Sequence, residues 1–139
     1  ARDCKSLYTG SNPVPTSIVK RGTKEENMGE DVRPWGRYDI LAESSTHKVK
    51  TIFVNPGARF SYQRHQHRAE HWYIVRGEAK ITHNGVELHF GPGDSIDIAK
   101  GDLHRLENIG SDEVVFVEVQ TGTYFGEDDI ERIEDDYSR

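Results

Sequence analysis

The chain of 139 residues has one cysteine, Cys4, so no disulfide can form within it, and a thiol so near the terminus is a poor catalytic nucleophile. A reducing, cytoplasmic setting suits that usage. No apolar run approaches the roughly 18 residues that span a bilayer, and the first residues lack the apolar stretch of a secretory leader, so no membrane association is expected. Basic residues are in deficit, 18 Lys and Arg against 24 Asp and Glu, which disfavours a general nucleic-acid binder. Long helical periodicity is also missing. At this length, and with 34% hydrophobic residues, a single core is the expectation.

The net charge of -6 is unevenly spread. Residues 127–139 hold seven acids and two bases, whereas residues 47–76 hold six bases and one acid, Glu70. Residues 1–32, with Gly10, Pro13, Pro15, Gly22 and Gly29 among polar residues, read as an arm or linker. From residue 33 to 139 the texture changes to a single domain of short runs rich in Val, Ile, Phe and Tyr. The runs at 47–54, 70–76, 78–83, 86–90, 95–99, 103–108 and 113–120 predict strands, separated by turns such as Asn55-Pro56-Gly57, Asn84-Gly85 and Gly91-Pro92-Gly93. Closely spaced strands with no intervening helix imply an all-β sandwich or barrel, and only residues 128–136 suggest a short helical turn.

Histidines are concentrated in one place. His65, His67 and His71 fall within seven residues, and residues two apart on a strand share a face, so His65 and His67 can present two imidazoles to one point. Glu70 follows closely, and His104 lies on a later predicted strand. Three nitrogens and a carboxylate suit one divalent ion, Zn, Mn, Fe, Co or Ni, with no discrimination among them. A His-x-His pair alone is more often a solvated surface feature. Here glycines frame it: Gly57 before the pair and Gly77 after Glu70, then Gly93, Ala99, Gly101, His104 and Asn108.

That framework resembles the two motifs of the cupin superfamily. The second motif fits in every spacing, with Ala99 where the family usually has proline. In the first, seven residues instead of five separate Gly57 from His65, and two instead of three or four separate His67 from Glu70, with His71 as the fallback ligand. The resemblance implies a jelly-roll barrel, the double-stranded β-helix, with a metal held by His65, His67, Glu70 and His104. A narrower resemblance covers residues 33–139: Arg33-Pro34-Trp35-Gly36, Gln63-Arg64-His65, His67-Arg68-Ala69-Glu70-His71-Trp72, His104-Arg105-Leu106-Glu107-Asn108 and Gly126-Glu127-Asp128-Asp129-Ile130 are similar to the C-terminal domain of type II phosphomannose isomerases. It implies an aldose-ketose isomerase interconverting mannose 6-phosphate and fructose 6-phosphate, and, since the pyrophosphorylase domain that usually precedes this cupin exceeds the chain's length, no nucleotidyl transfer.

Isomerisation needs an electrophile, a base and a phosphate anchor. The metal supplies the first. Arg68, inside the motif, is carried over as an active-site residue; Arg59, Arg64 and Arg105 are candidate phosphate anchors, each equally readable as a surface charge or a partner for the acidic end. Glu118, which shares parity with Phe116 and Gln120, and Lys50 or Lys48 are candidate bases, and His71 is a further one; sequence does not choose among them. Two rival readings remain open, a non-catalytic cupin that binds or senses a sugar phosphate or sugar nucleotide, and another metal-dependent cupin enzyme such as a dioxygenase. A homodimer is expected, the small-molecule partner being a sugar phosphate.

Overall fold

The computed structural model describes residues 30–139, so most of the arm expected over residues 1–32, and Cys4 with it, lies outside the described residues. Among the described residues, eleven strands make two antiparallel sheets. In chain order they are β1 (Glu30–Arg33), β2 (Gly36–Glu43), β3 (His47–Val54), β4 (Tyr62–Arg64), β5 (Arg68–Arg76), β6 (Ala79–His83), β7 (Val86–Phe90), β8 (Ser95–Ile98), β9 (His104–Asn108), β10 (Val114–Gly122) and β11 (Glu131–Glu134). One sheet runs β1-β2-β3-β10-β5-β8 and the other β11-β4-β9-β6-β7, the folded-over pair of a jelly roll.

Every run expected as a strand is one. Four strands were not expected: β1, β2, the three-residue β4, and β11. The first takes residues 30–32 from the expected arm into a pairing with β2. The last replaces most of the helical turn expected over 128–136, which shrinks to a 3-10 turn at Glu127–Asp129 before the chain extends along β4. Asn84 and Gly85 both take positive φ, 47° and 81°, as a two-residue hairpin between β6 and β7 requires.

The inner face of the first sheet is graded from apolar to polar. Strand β10 is central, with Val114, Phe116, Glu118 and Gln120 all pointing inward and buried. Phe116 lies opposite Ile52 on β3 and Ile74 on β5, a row of the apolar core that also includes Trp35, Phe60 and Leu106. Further along, Glu118 lies opposite Lys50 and Trp72, and Gln120 opposite Lys48 and Glu70. Each apolar side chain buried in this way contributes roughly 1.5–3 kcal/mol, while polar groups enclosed beside them are tolerated only when they bind one another or a ligand. The barrel is thus closed by packing at one end and carries its chemistry at the other.

A candidate metal and anion site at the polar end of the barrel

His65 sits where β4 has ended and β5 has not begun, in a turn held by its surroundings. Its carbonyl accepts the Gly101 N–H at 2.8 Å, and the Asp129 carboxylate accepts the N–H groups of Gln66 and His67 at 3.1 and 3.0 Å. Strand parity fails across such a turn. His65 is buried, whereas His67 is exposed and lies edge-on to Tyr124, so it is not brought to the cluster that the His-x-His spacing predicted. His71 points outward and pairs with Asp97.

The remaining three expected ligands converge. Side-chain ligand atoms of His65, Glu70 and His104 lie within 4.8 Å of one another. His65 Nε2 is 3.2 Å and His104 Nε2 3.6 Å from the two oxygens of Glu70. Both imidazoles are turned inward from behind by backbone carbonyls, Nδ1 of His65 donating to Asp129 O and Nδ1 of His104 to Asp102 O, each at 2.9 Å. Burial holds His104 below its usual pKa, against the pull of Glu70, so it is neutral, and its Nε2 lone pair is buried with no hydrogen-bond partner among the described residues. Burial also opposes a proton on His65, but the adjacent Glu70 outweighs it and raises that pKa. Glu70, despite full burial, is held well below the carboxylate range by His65, His104 and Arg68. An anionic oxygen and an orphaned imidazole lone pair, dry and preset, fit a divalent cation.

Beside this trio lies a cavity, partly open to solvent, whose lining includes Lys50, Arg68, Glu70, Trp72, Glu118 and Glu127. Arg68 donates to Glu70 at 3.0 Å, and the Trp72 indole N–H is shared between Glu70 and Glu118 at 3.0 Å each. Gln120 donates to the other oxygen of Glu118. Burial, reinforced by Glu70, pushes the Glu118 carboxyl up to about 7, even though Lys50 and Arg68 pull it down. Lys50 rests over the Tyr38 ring at 4.0 Å and donates to Glu127 at 2.7 Å. Arg68, Glu118 and Lys50, singled out from sequence, are thus brought to one cavity.

The expected phosphate anchors are not. Arg59 is bound by Asp136 at 2.6 Å, Arg64 by Glu131 at 2.7 Å, and Arg105 by Glu134 and by the carbonyl of Phe60. All three face the acidic C-terminal stretch, outside the cavity lining. Arginines that do line it, Arg33, Arg132 and Arg139, were not singled out from sequence; they come from β1 and the C-terminal segment, and no local spacing links them to the histidines.

Residues 21–135 match the family model described as "Mannose-6-phosphate isomerase C-terminal". Mannose-1-phosphate guanylyltransferase ManC of Salmonella typhimurium is 44% identical over 127 residues, covering 91% of this chain and 26% of that protein. Alginate biosynthesis protein AlgA of Pseudomonas aeruginosa matches with the same identity and the same shares. The chain thus spans about a quarter of the length of these relatives. Among solved structures, a conserved protein with a double-stranded β-helix domain from Klebsiella pneumoniae superposes with a TM-score of 0.66 at 22% identity, covering 78% of this chain and 88% of that one. KdgF from Halomonas sp. superposes at 0.62 with 19% identity over 71% and 87%. These likenesses establish the cupin fold. The relatives correct the expected activity: ManC is named for guanylyl transfer, a transferase and not an aldose-ketose isomerase, so the chain is not assigned mannose 6-phosphate isomerisation. With so small a share of each relative covered, the exclusion of nucleotidyl transfer no longer follows from the chain's length either.

Proposed function

Because this chain belongs to the family of mannose-6-phosphate isomerase C-terminal domains, we propose that it is the metal- and sugar-phosphate-binding unit of a mannose-1-phosphate guanylyltransferase-type protein, one that joins mannose 1-phosphate to a guanylyl group from GTP with release of pyrophosphate. The relatives support the transferase. Within the barrel, the observation that carries the reading is the juxtaposition of the His65, Glu70 and His104 ligand atoms with the buried cations Lys50 and Arg68.

His65, Glu70 and His104 would hold the ion, which when bound supplies a Lewis acid for the oxygens of an anionic ligand. Lys50 and Arg68, both buried, hold the ligand's negative charge beside Trp72 and Phe60, where charge-assisted bonds are strong. Glu118, poised near neutrality, gives or takes a hydrogen bond from a sugar hydroxyl according to its protonation. We place the protein in the cytosol, as a homodimer; among the described residues no helix is long and apolar enough to cross a membrane.

Calorimetric titration of the zinc- or manganese-loaded protein with mannose 1-phosphate and GDP-mannose tests the binding role. Saturable heat with either, lost in His104→Ala, is expected; no heat with both overturns it. Pyrophosphate release from GTP and mannose 1-phosphate by protein expressed from its own gene tests the transferase role, and its absence overturns that part.

A further inference from the structure

The cavity contains more positive charge than its own carboxylates arrange. Arg132 makes no ion pair among the described residues, and its Nε is buried without a hydrogen-bond partner. Arg33 and Arg139, each paired with its own carboxylate, Asp31 at 2.9 Å and Asp135 at 3.1 Å, share the same lining and, with burial, hold Arg132 below its ordinary pKa. Lys50, 3% exposed, lines the same cavity. So does Glu127, whose carboxylate accepts from Lys50 at 2.7 Å and whose charge also acts on Arg132, while the nearby Tyr38 hydroxyl donates to Asp31 at 2.7 Å. Burial works against its charge, but Lys50 and Arg68 outweigh burial and keep it ionised. An anion is wanted here, and the chain supplies one of its own.

The support beneath Glu127 is slight. It opens a three-residue 3-10 turn that buries none of its residues, and its side chain is 37% exposed. The turn is fixed instead through Asp129, two residues on, so Glu127 can swing away without disturbing the turn that carries His65.

We propose that the phosphate group of a sugar phosphate binds between Lys50 and Arg132, in the place now held by Glu127, and that Glu127 is an internal competitor which the ligand displaces. The inference rests on the sugar-phosphate reading above and deepens it: the anchor is Lys50 and Arg132, and the C-terminal segment both completes and guards it.

Titrating the metal-loaded protein with inorganic phosphate, mannose 1-phosphate and mannose, in the native chain and in Glu127→Gln and Arg132→Gln, tests this. Removing the competitor should tighten phosphate and mannose 1-phosphate about tenfold, and removing the anchor should weaken both about tenfold, the scale of one charge-assisted contact. Mannose should respond to neither. Glu127→Asp, which keeps the charge but shortens its reach, should gain less than Glu127→Gln. Phosphate binding that is unchanged or weaker in Glu127→Gln, or indifferent to Arg132→Gln, overturns the proposal. If inorganic phosphate follows the expected order but mannose 1-phosphate binds no tighter than phosphate, the anion site stands and the sugar-phosphate reading falls. If mannose 1-phosphate binds and neither substitution alters it, the reverse holds.

Discussion

At the scale of the residue, the sharpest asymmetry is between the two imidazoles of the trio. His104 is neutral with its lone pair enclosed, so a cation gains a ligand there at no cost in lost hydrogen bonds. A divalent ion at a hundred times its dissociation constant should stabilise the native chain by about 2.7 kcal/mol, read as a rise in melting temperature, and His104→Ala should abolish most of that rise. Glu118 carries a different signature. Its folded pKa, about 7, lies above the ordinary 4.5, so the folded protein holds this proton more tightly than the unfolded chain does. Stability from that source is fully present below the ordinary value and is lost as pH rises through about 7. Metal-free protein should therefore melt at progressively lower temperature from about pH 5 to pH 8, and Glu118→Gln should flatten the profile; an identical slope in the variant would remove Glu118 as its cause. Among the arginines, Arg59→Gln and Arg64→Gln should leave phosphate affinity unchanged, because both guanidiniums are engaged by the C-terminal stretch.

At the scale of the element, the short 3-10 turn Glu127–Asp129 does more than its length suggests. The Asp129 carbonyl aims His65, and its carboxylate satisfies two backbone donors in the turn that carries that histidine. Asp129→Ala should cost about 1–3 kcal/mol in stability through the two orphaned donors, and should weaken metal binding roughly 10-fold as the His65 turn loosens, measured by denaturation and by metal titration. The neighbouring Gly122, at φ 153°, is where β10 passes so close to the His65 turn that an added Cβ would collide with the His67 carbonyl. No side chain fits there. Strands show how far local pattern reaches: β3 is bounded as its run of Val, Ile and Phe predicts, whereas β11, Glu131–Glu134, is mostly charged, and β2, Gly36–Glu43, breaks its alternation with consecutive Ile40, Leu41 and Ala42; both pair with strands elsewhere in the chain.

At the scale of the whole molecule, the opposed charges of the two segments are joined in space. Lys50, Arg59 and Arg64 from the basic segment pair with Glu127, Asp136 and Glu131 from the acidic end, so the C-terminal stretch lies against the barrel as one wall of the cavity. The two outer pairs are exposed and contribute little. Raising salt to 1 M should accordingly cost little stability, read as the denaturation midpoint, while the Lys50–Glu127 contact, whose lysine is buried, should persist.

Local information determined seven of the eleven described strands and the glycine turns, because alternation and turn chemistry act over a few residues. It also brought out Glu118 and the pair Lys48 and Lys50 as charges on strand faces, whereas Arg68 entered through the family resemblance. The choice of His65 over His67 was decided only in three dimensions: parity holds along a strand and lapses in the turn that contains them both. The same is true of the anion anchor. Arginines at 59, 64 and 105 and those at 33, 132 and 139 are chemically alike in sequence, and only the packing of the acidic end over the barrel determines which lie outside the cavity and which line it.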